Sequence, residues 1–297
     1  MIFQSQGDFA TRRTIVCFLG SRHQLPLGEG RAMQTLVLAN QKGGVGKSAL
    51  ACQLAYHLAR AGKRVLFVDL DHQGNSTKAL LGHPKTSPCA FSATHLLEGR
   101  GGMAPEAALA LIGADSGLSG LERRPSGHNG FVEALRAFLV CATDRYDVCV
   151  IDTNPNPDIR YAAAMIAADH VLSPIQLNQE AIDGIGALFN HARYGLGKIK
   201  ATFNPNLNFM GILPNLVEPT PFQRNNFAQI VRHFPQHLLE IQSMPKLFAL
   251  IQKRSVIAEA QASGQFVADM RKTAARDTWR EIKPVLDLIA RKLSKEA

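Results

Sequence analysis

The stretch Gly43-Gly44-Val45-Gly46-Lys47-Ser48 constrains this chain more than any other. It follows an apolar run, Thr35-Leu36-Val37-Leu38-Ala39. It precedes residues 48–61, where Leu50, Leu54, Ala55 and Leu58 share one helical face. Gly62 then closes that helix as a C-terminal cap. Strand, glycine-rich loop and helix make the frame of a phosphate-binding loop, whose pattern is G-x-x-x-x-G-K-[ST]. Glycines let the backbone wrap an anion with its N–H groups inward, and the helix N-terminus adds its dipole. Gly43, Gly44, Val45, Gly46, Lys47, Ser48 and Ala49 are therefore expected to cradle the phosphates of a nucleotide. Lys47 is expected to reach the β- and γ-phosphates, and the Ser48 hydroxyl to ligate Mg²⁺. The first glycine of the pattern falls on Gln41, and a second lysine, Lys42, follows it. The alternative is a glycine-rich turn without a ligand, and motif and context both speak against it.

Further apolar runs occupy residues 65–68, 146–151, 170–175 and 209–213. Near-continuous apolar strands separated by helices predict an α/β fold, a mostly parallel twisted sheet with helices on both faces. Residues 82–130, rich in Gly, Pro, Ser and Ala, carry no period that assigns their elements. A chain of 297 residues that is 46% hydrophobic and 19% charged is ample for a buried core. Residues 34–297 are expected to form a single P-loop ATPase domain with the C-terminal helices packed on it. Residues 1–33 have no clear period and read as an extension, non-native or disordered. Met33 stands directly before the first strand, so a native start there would make the first 32 residues dispensable.

The five cysteines, Cys17, Cys52, Cys89, Cys141 and Cys149, are scattered and include no C-x-x-C pair. That usage predicts reduced thiols in a cytoplasmic protein. No apolar run approaches the roughly 20 residues that span a bilayer. Residues 14–20, behind Arg12 and Arg13, imitate a signal peptide only weakly, and a phosphate loop soon afterwards argues against export. The formal net charge of +9 favours polyanion partners, nucleic acid or an anionic membrane surface. A merely basic soluble protein is the alternative.

Three carboxylates stand where such a site needs them. Asp69 and Asp71 alternate onto one face at the carboxyl end of a strand, where α/β proteins bind ligands. A solvated strand end is the alternative for that pair. Asp152 follows the apolar residues 148–151 in the Walker B arrangement, which holds Mg²⁺ directly or through water.

Residues 40–48 resemble the deviant Walker A loop of the ParA/MinD family of P-loop ATPases. The resemblance implies that Lys42 is the signature lysine, which reaches across a nucleotide-sandwich homodimer to the phosphates bound by the other subunit. Asp69-Leu70-Asp71-His72-Gln73-Gly74-Asn75 resembles the family's D-x-D-P-Q-G-N segment, with His72 in place of proline. It implies that Asp71 positions or activates the attacking water and that Asp69 sits near Mg²⁺. The family's D-T-P-P is here Asp152-Thr153-Asn154-Pro155. Ser173-Pro174-Ile175-Gln176 and Ala181-Ile182-Asp183-Gly184-Ile185 resemble the strand and helix near the family's dimer face. Asn215, in Pro214-Asn215-Leu216-Val217, stands where family members contact adenine, although turns also favour asparagine.

Three branches of the family are open to such a chain. The first is a ParA-type partition ATPase of plasmid or chromosome segregation. That branch implies ATP and Mg²⁺ as ligands, non-specific DNA binding, nucleoid association and slow hydrolysis stimulated by a ParB-like centromere-binding protein. Residues 253–260 resemble the segment whose arginine, here Arg254, contributes to DNA binding. Arg271, Lys272, Arg276 and Arg280 recur at helical spacing beyond it and suit a basic stripe, with a solvated face as the alternative for each. The second is a MinD-type membrane-associated positioning ATPase. Trp279, Ile282, Val285, Leu286, Ile289 and Leu293 make an apolar helical face, with Arg291, Lys292 and Lys295 beyond it. Such a stripe is more often packed on a core, so no stable membrane association is expected. The third is a metabolic or redox relative, such as the nitrogenase iron protein or a ligase-type enzyme. Cys141 and Cys149, before and within the Walker B strand, do not suit a bridging cluster.

Overall fold

A computed structural model describes residues 33–178, 181–241 and 247–295 of the chain. The expectations for residues 1–32, including Cys17, Arg12 and Arg13, fall outside the described residues. The first half of the chain builds β1 (Gln34–Leu38), α1 (Lys47–Arg60), β2 (Val65–Asp69), α2 (Asn75–Leu81), β3 (Thr86–Pro88), α3 (Ala93–Leu97), β4 (Leu109–Ile112) and α4 (His128–Ala142). Then come β5 (Val148–Asp152), α5 (Ile159–Ala167), β6 (His170–Ile175), α6 (Ala181–Asn190), α7 (Leu196–Thr202) and β7 (Asn208–Pro214). Three helices close the chain, α8 (Pro221–His233), α9 (Ser255–Ser263) and α10 (Thr273–Lys295).

The strands form one sheet in the order β3-β4-β2-β5-β1-β6-β7, and every pairing is parallel. Five strands follow the apolar runs of the sequence. Two more, β3 and β4, fall in residues 82–130, where the sequence assigns no elements. Parallel strands buried on both faces must be apolar at every position, and alternation then divides them between two cores. Leu36, Leu38, Val65, Phe67, Val148 and Val150 face α1 and α10. Val37, Leu66, Val68, Cys149, Ile151 and Val171 face α3, α4 and α5.

The apolar stripe of α10 belongs to the first core. Ile282, Val285, Leu286, Ile289 and Leu293 are buried there, and Trp279 packs against their edge. Residues with the spacing of a membrane-lying helix thus cover the sheet. Among the described residues no helix is long and apolar enough to cross a membrane.

Between β1 and its sheet neighbours the chain changes direction. From β1 it runs outward through β2, β3 and β4, returns to β5 beside β1, and continues on the far side with β6. The carboxyl ends of β1, β2 and β5 therefore converge, and such a switch point is where open parallel sheets bind ligands. In register, Leu38 faces Asp152 and Asp69 faces Asp152.

Candidate functional site

The loop after β1 is held by a set of side-chain hydrogen bonds. The Asn40 amide donates to the Pro174 carbonyl (2.8 Å), and its oxygen accepts from the Lys42 N–H (2.8 Å). Lys47 is buried, and its ammonium lies 3.2 Å from the carbonyls of both Asn40 and Lys42. Gln176 donates to the Gly44 carbonyl at 3.0 Å. Gly46 has φ of 81°, a left-handed conformation that glycine adopts without strain. It is also crowded, since a Cβ there would stand 2.5 Å from Asn215 Nδ2. The Asn215 amide donates to the Val45 carbonyl (2.8 Å), and the residue is buried. The residue expected at adenine is thus a strut of the phosphate loop in this conformation. Among the described residues, its neighbour Leu216 is the non-glycine residue with positive φ, 54°.

Behind the loop stand the three carboxylates, all buried, and they are not equivalent. One oxygen of Asp69 accepts from the Asp71 N–H (3.0 Å); the other accepts from the Thr77 N–H (2.8 Å) and hydroxyl (2.7 Å). Asp152 Oδ2 accepts from Ser76 Oγ (2.7 Å), and its Oδ1 is buried without a partner. Asp71 accepts from the Gln73 N–H (3.0 Å) at the start of the turn into α2. Burial pushes Asp69 up from the ordinary carboxylate range, and the neighbouring Asp152 adds to it. Burial likewise raises Asp152, against hydrogen bonds from Ser48 and Ser76 and the charge of Lys47. Burial lowers Lys47, while Asp152 and Asp71 act to raise it. Each buried charge is penalised, and three carboxylates outnumber the one ammonium set among them.

That surplus, with an unpartnered Asp152 oxygen beside the Ser48 hydroxyl, fits a divalent cation. Among the described residues no group of three His, Cys, Asp or Glu side chains is placed to hold a metal ion. A cation here would complete its shell with phosphate oxygens and water, as Mg²⁺ does.

The sequence expectations missed Ser76 and Thr77, although both directly follow Gly74-Asn75 at the start of α2 and carry hydroxyls. They also missed Asp158 and Arg160, a buried ion pair at the N-terminus of α5. A lone arginine before Tyr161-Ala162-Ala163-Ala164 was the signal available.

Of the basic residues expected on DNA, Arg254 directly precedes α9, Arg271 and Lys272 lie in the turn before α10, and Arg276 lies on α10. Arg254 donates to both oxygens of Glu281 at 2.5 and 2.9 Å. Lys272 pairs with Glu259, and Arg280 with Asp277 at 3.2 Å. Arg276 donates to Thr273 Oγ1 at 3.2 Å. Arg271 is exposed, and among the described residues no carboxylate pairs with it or with Arg276.

Known proteins share both the sequence and the fold. A family model described as an AAA domain matches residues 33–209. Protein IncC of Escherichia coli is 32% identical over 286 residues, covering 93% of this chain and 74% of its own. The chromosome-partitioning ATPase Soj of Thermus thermophilus is 33% identical over 248 residues, covering 82% of this chain and 90% of its own. Cobyrinic acid a,c-diamide synthase of Mycobacterium smegmatis, solved with ADP and magnesium, superposes with a TM-score of 0.66 at 24% identity. That superposition covers 89% of this chain and 97% of the synthase, and it shows the fold alone. Because a metabolic synthase shares the architecture, it is the sequence relatives that separate the branches. The chain belongs to the ParA/MinD family of deviant Walker A P-loop ATPases, on its ParA-type partition branch.

Proposed function

We propose that this chain is an ATP-dependent DNA-segregation ATPase. It binds ATP with Mg²⁺, closes into a homodimer over the nucleotides, and binds DNA without sequence preference. It hydrolyses ATP slowly until a ParB-like centromere-binding protein stimulates it, and it works in the cytoplasm on the nucleoid. The observation that carries the ATPase assignment is the buried Asp152 oxygen without a partner, with Ser48 and Lys47 of the glycine-rich loop as neighbours of that carboxylate. The partition relatives support the cargo.

In this proposal the backbone from Gly43 to Ala49 holds the phosphates, and Lys47 transfers its ammonium from the Asn40 and Lys42 carbonyls to their oxygens. Ser48 and Asp152 hold the metal, with Asp69 behind them. Mg²⁺ held there would supply positive charge against the negative charge that develops on the phosphates during transfer. Asp71 orients the attacking water. Lys42 reaches the nucleotide of the other subunit, and Asn215 leaves Val45 for adenine. Arg254, Arg271, Lys272 and Arg276 contact DNA phosphates.

Two measurements test the proposal. Lys47→Ala should abolish ATP turnover that the wild-type chain shows; unchanged turnover removes the site assignment. DNA retention in a gel shift should require ATP and fall steeply between about 50 and 200 mM salt. Binding that ignores both nucleotide and salt would exclude the partition role.

A further inference from the structure

His72 stands in the segment of Asp71 where the resembled family has proline. Its ring is not idle. Nδ1 lies 3.2 Å from a terminal nitrogen of Arg160 and 3.5 Å from Asp71 Oδ1. Arg160 is itself fixed. Its side chain is buried, and its Nε lies 3.3 and 3.1 Å from the two oxygens of Asp158. Asp158 caps α5 through the Arg160 N–H (2.9 Å) and accepts from the Asn154 amide (3.0 Å). An unbroken chain of contacts thus runs from Asn154, after β5, through Asp158 and Arg160 to His72, after β2.

The donor inventory fixes the ring's state in this chain of contacts. A guanidinium only donates, so Nδ1 must accept and the proton sits on Nε2. Nε2 lies 3.3 Å from the Gln73 side-chain nitrogen, which pairs two donors. The reversed amide, with the Gln73 oxygen facing the ring, satisfies both. A Nδ1 that accepts from Arg160 has no proton for Asp71, so the nearest ring leaves that carboxylate unclaimed.

We propose that His72 is a positioning residue, which straps the Asp71 turn to the Arg160–Asp158 pair on α5. Proline would stiffen the same turn by fixing φ; histidine does so through its side chain. The proposal rests on Asp71 orienting the attacking water. His72 is 34% exposed at its side chain, so replacing it leaves the core intact.

The test compares full-length wild type, Lys47→Ala, His72→Ala and His72→Asn. ATP turnover gives kcat, and a fluorescent ATP analogue gives the nucleotide Kd. His72→Ala should lower kcat about tenfold, the scale set by a sub-ångström misplacement, while Kd stays within about twofold. His72→Asn places an amide oxygen near the position of Nδ1 and should recover kcat to within about threefold of wild type. Wild-type kcat in His72→Ala, equal loss in His72→Asn, or a Kd that rises as kcat falls would each overturn the strap. Undiminished turnover in Lys47→Ala would instead remove the ATPase assignment, and the strap with it.

Discussion

Gly46→Ala should weaken the fold through two separable effects, and the second depends on one partner. The new side chain must hold φ of 81°, which costs an L-residue about 1–2 kcal/mol. Its Cβ would also stand 2.5 Å from Asn215 Nδ2, so the amide must leave the Val45 carbonyl it bonds at 2.8 Å. Both groups are buried, and an unmade bond there costs about 1–3 kcal/mol. The sum is about 2–5 kcal/mol, and Asn215→Ala alone should cost about 1–3 kcal/mol by the second effect only. In the double variant the clash is gone and the bond is lost once rather than twice. The two changes should therefore fall short of additivity by about 1–3 kcal/mol. Urea unfolding without nucleotide, with all four proteins sharing one m-value, reads this directly. Additivity within about 0.4 kcal/mol would refute the strut.

Three further outcomes follow from particular contacts. Leu286→Ala should cost about 2–5 kcal/mol in urea unfolding, because Leu286 is fully buried against the sheet; a change below about 0.5 kcal/mol would mean that α10 does not cover the core. Burial lowers the His57 pKa against its 3.0 Å contact with Asp287, so the unfolded chain takes up the proton first. The stability contributed by neutral His57 is complete above the unfolded value of about 6.5 and is lost as the pH falls toward the lower folded value. Asp69 and Asp152, with raised pKa values, act in the opposite sense. The measure is therefore the difference between His57→Gln and wild type, which should shift in favour of the variant from pH 7.5 to 5.5; parallel curves would contradict it. Glu281→Gln should release Arg254 from its pair, tighten ATP-dependent DNA binding at low salt and steepen the log–log salt slope by about one. An unchanged slope would take Arg254 off the DNA.

What the sequence made legible depended on how local the signal was. β1, β2, β5, β6 and β7 are strands that apolar runs declare by themselves. β4 has only four residues, Leu109-Ala110-Leu111-Ile112, within a segment rich in small and turn-forming residues. β3 is Thr86-Ser87-Pro88 at the sheet's edge, where half-exposed polar residues and a proline are tolerated. Nothing in its pattern separates it from a loop. The loop residues and the three aspartates are likewise contiguous motifs. Their partners are not. Ser76 meets Asp152 across 76 positions, and His72 meets Arg160 across 88. The pairing of Arg254 with Glu281 joins the N-terminus of α9 to α10, so a basic helical stripe in sequence becomes an interleaved surface in three dimensions. Charge spacing alone overstates how much positive field such a stripe presents.

The two deeply buried aspartates show how the same side chain divides its labour. Asp69 has both oxygens committed, to the Asp71 N–H and to Thr77, and so defines where β2 ends and α2 begins. It acts on the site by shaping the turn that carries Asp71. Asp152 has one oxygen held by Ser76 and one left without a partner, in a place where an unpartnered carboxylate oxygen is costly. Lys47 offsets part of that cost from a distance while its ammonium rests on the Asn40 and Lys42 carbonyls. A metal–triphosphate would relieve both strains at once, giving Asp152 a cation and Lys47 an anion. The Lys47 contacts with the Asn40 and Lys42 carbonyls are ones that a metal–triphosphate would replace with stronger ones, and the Asp152 oxygen without a partner marks where binding energy would be gained.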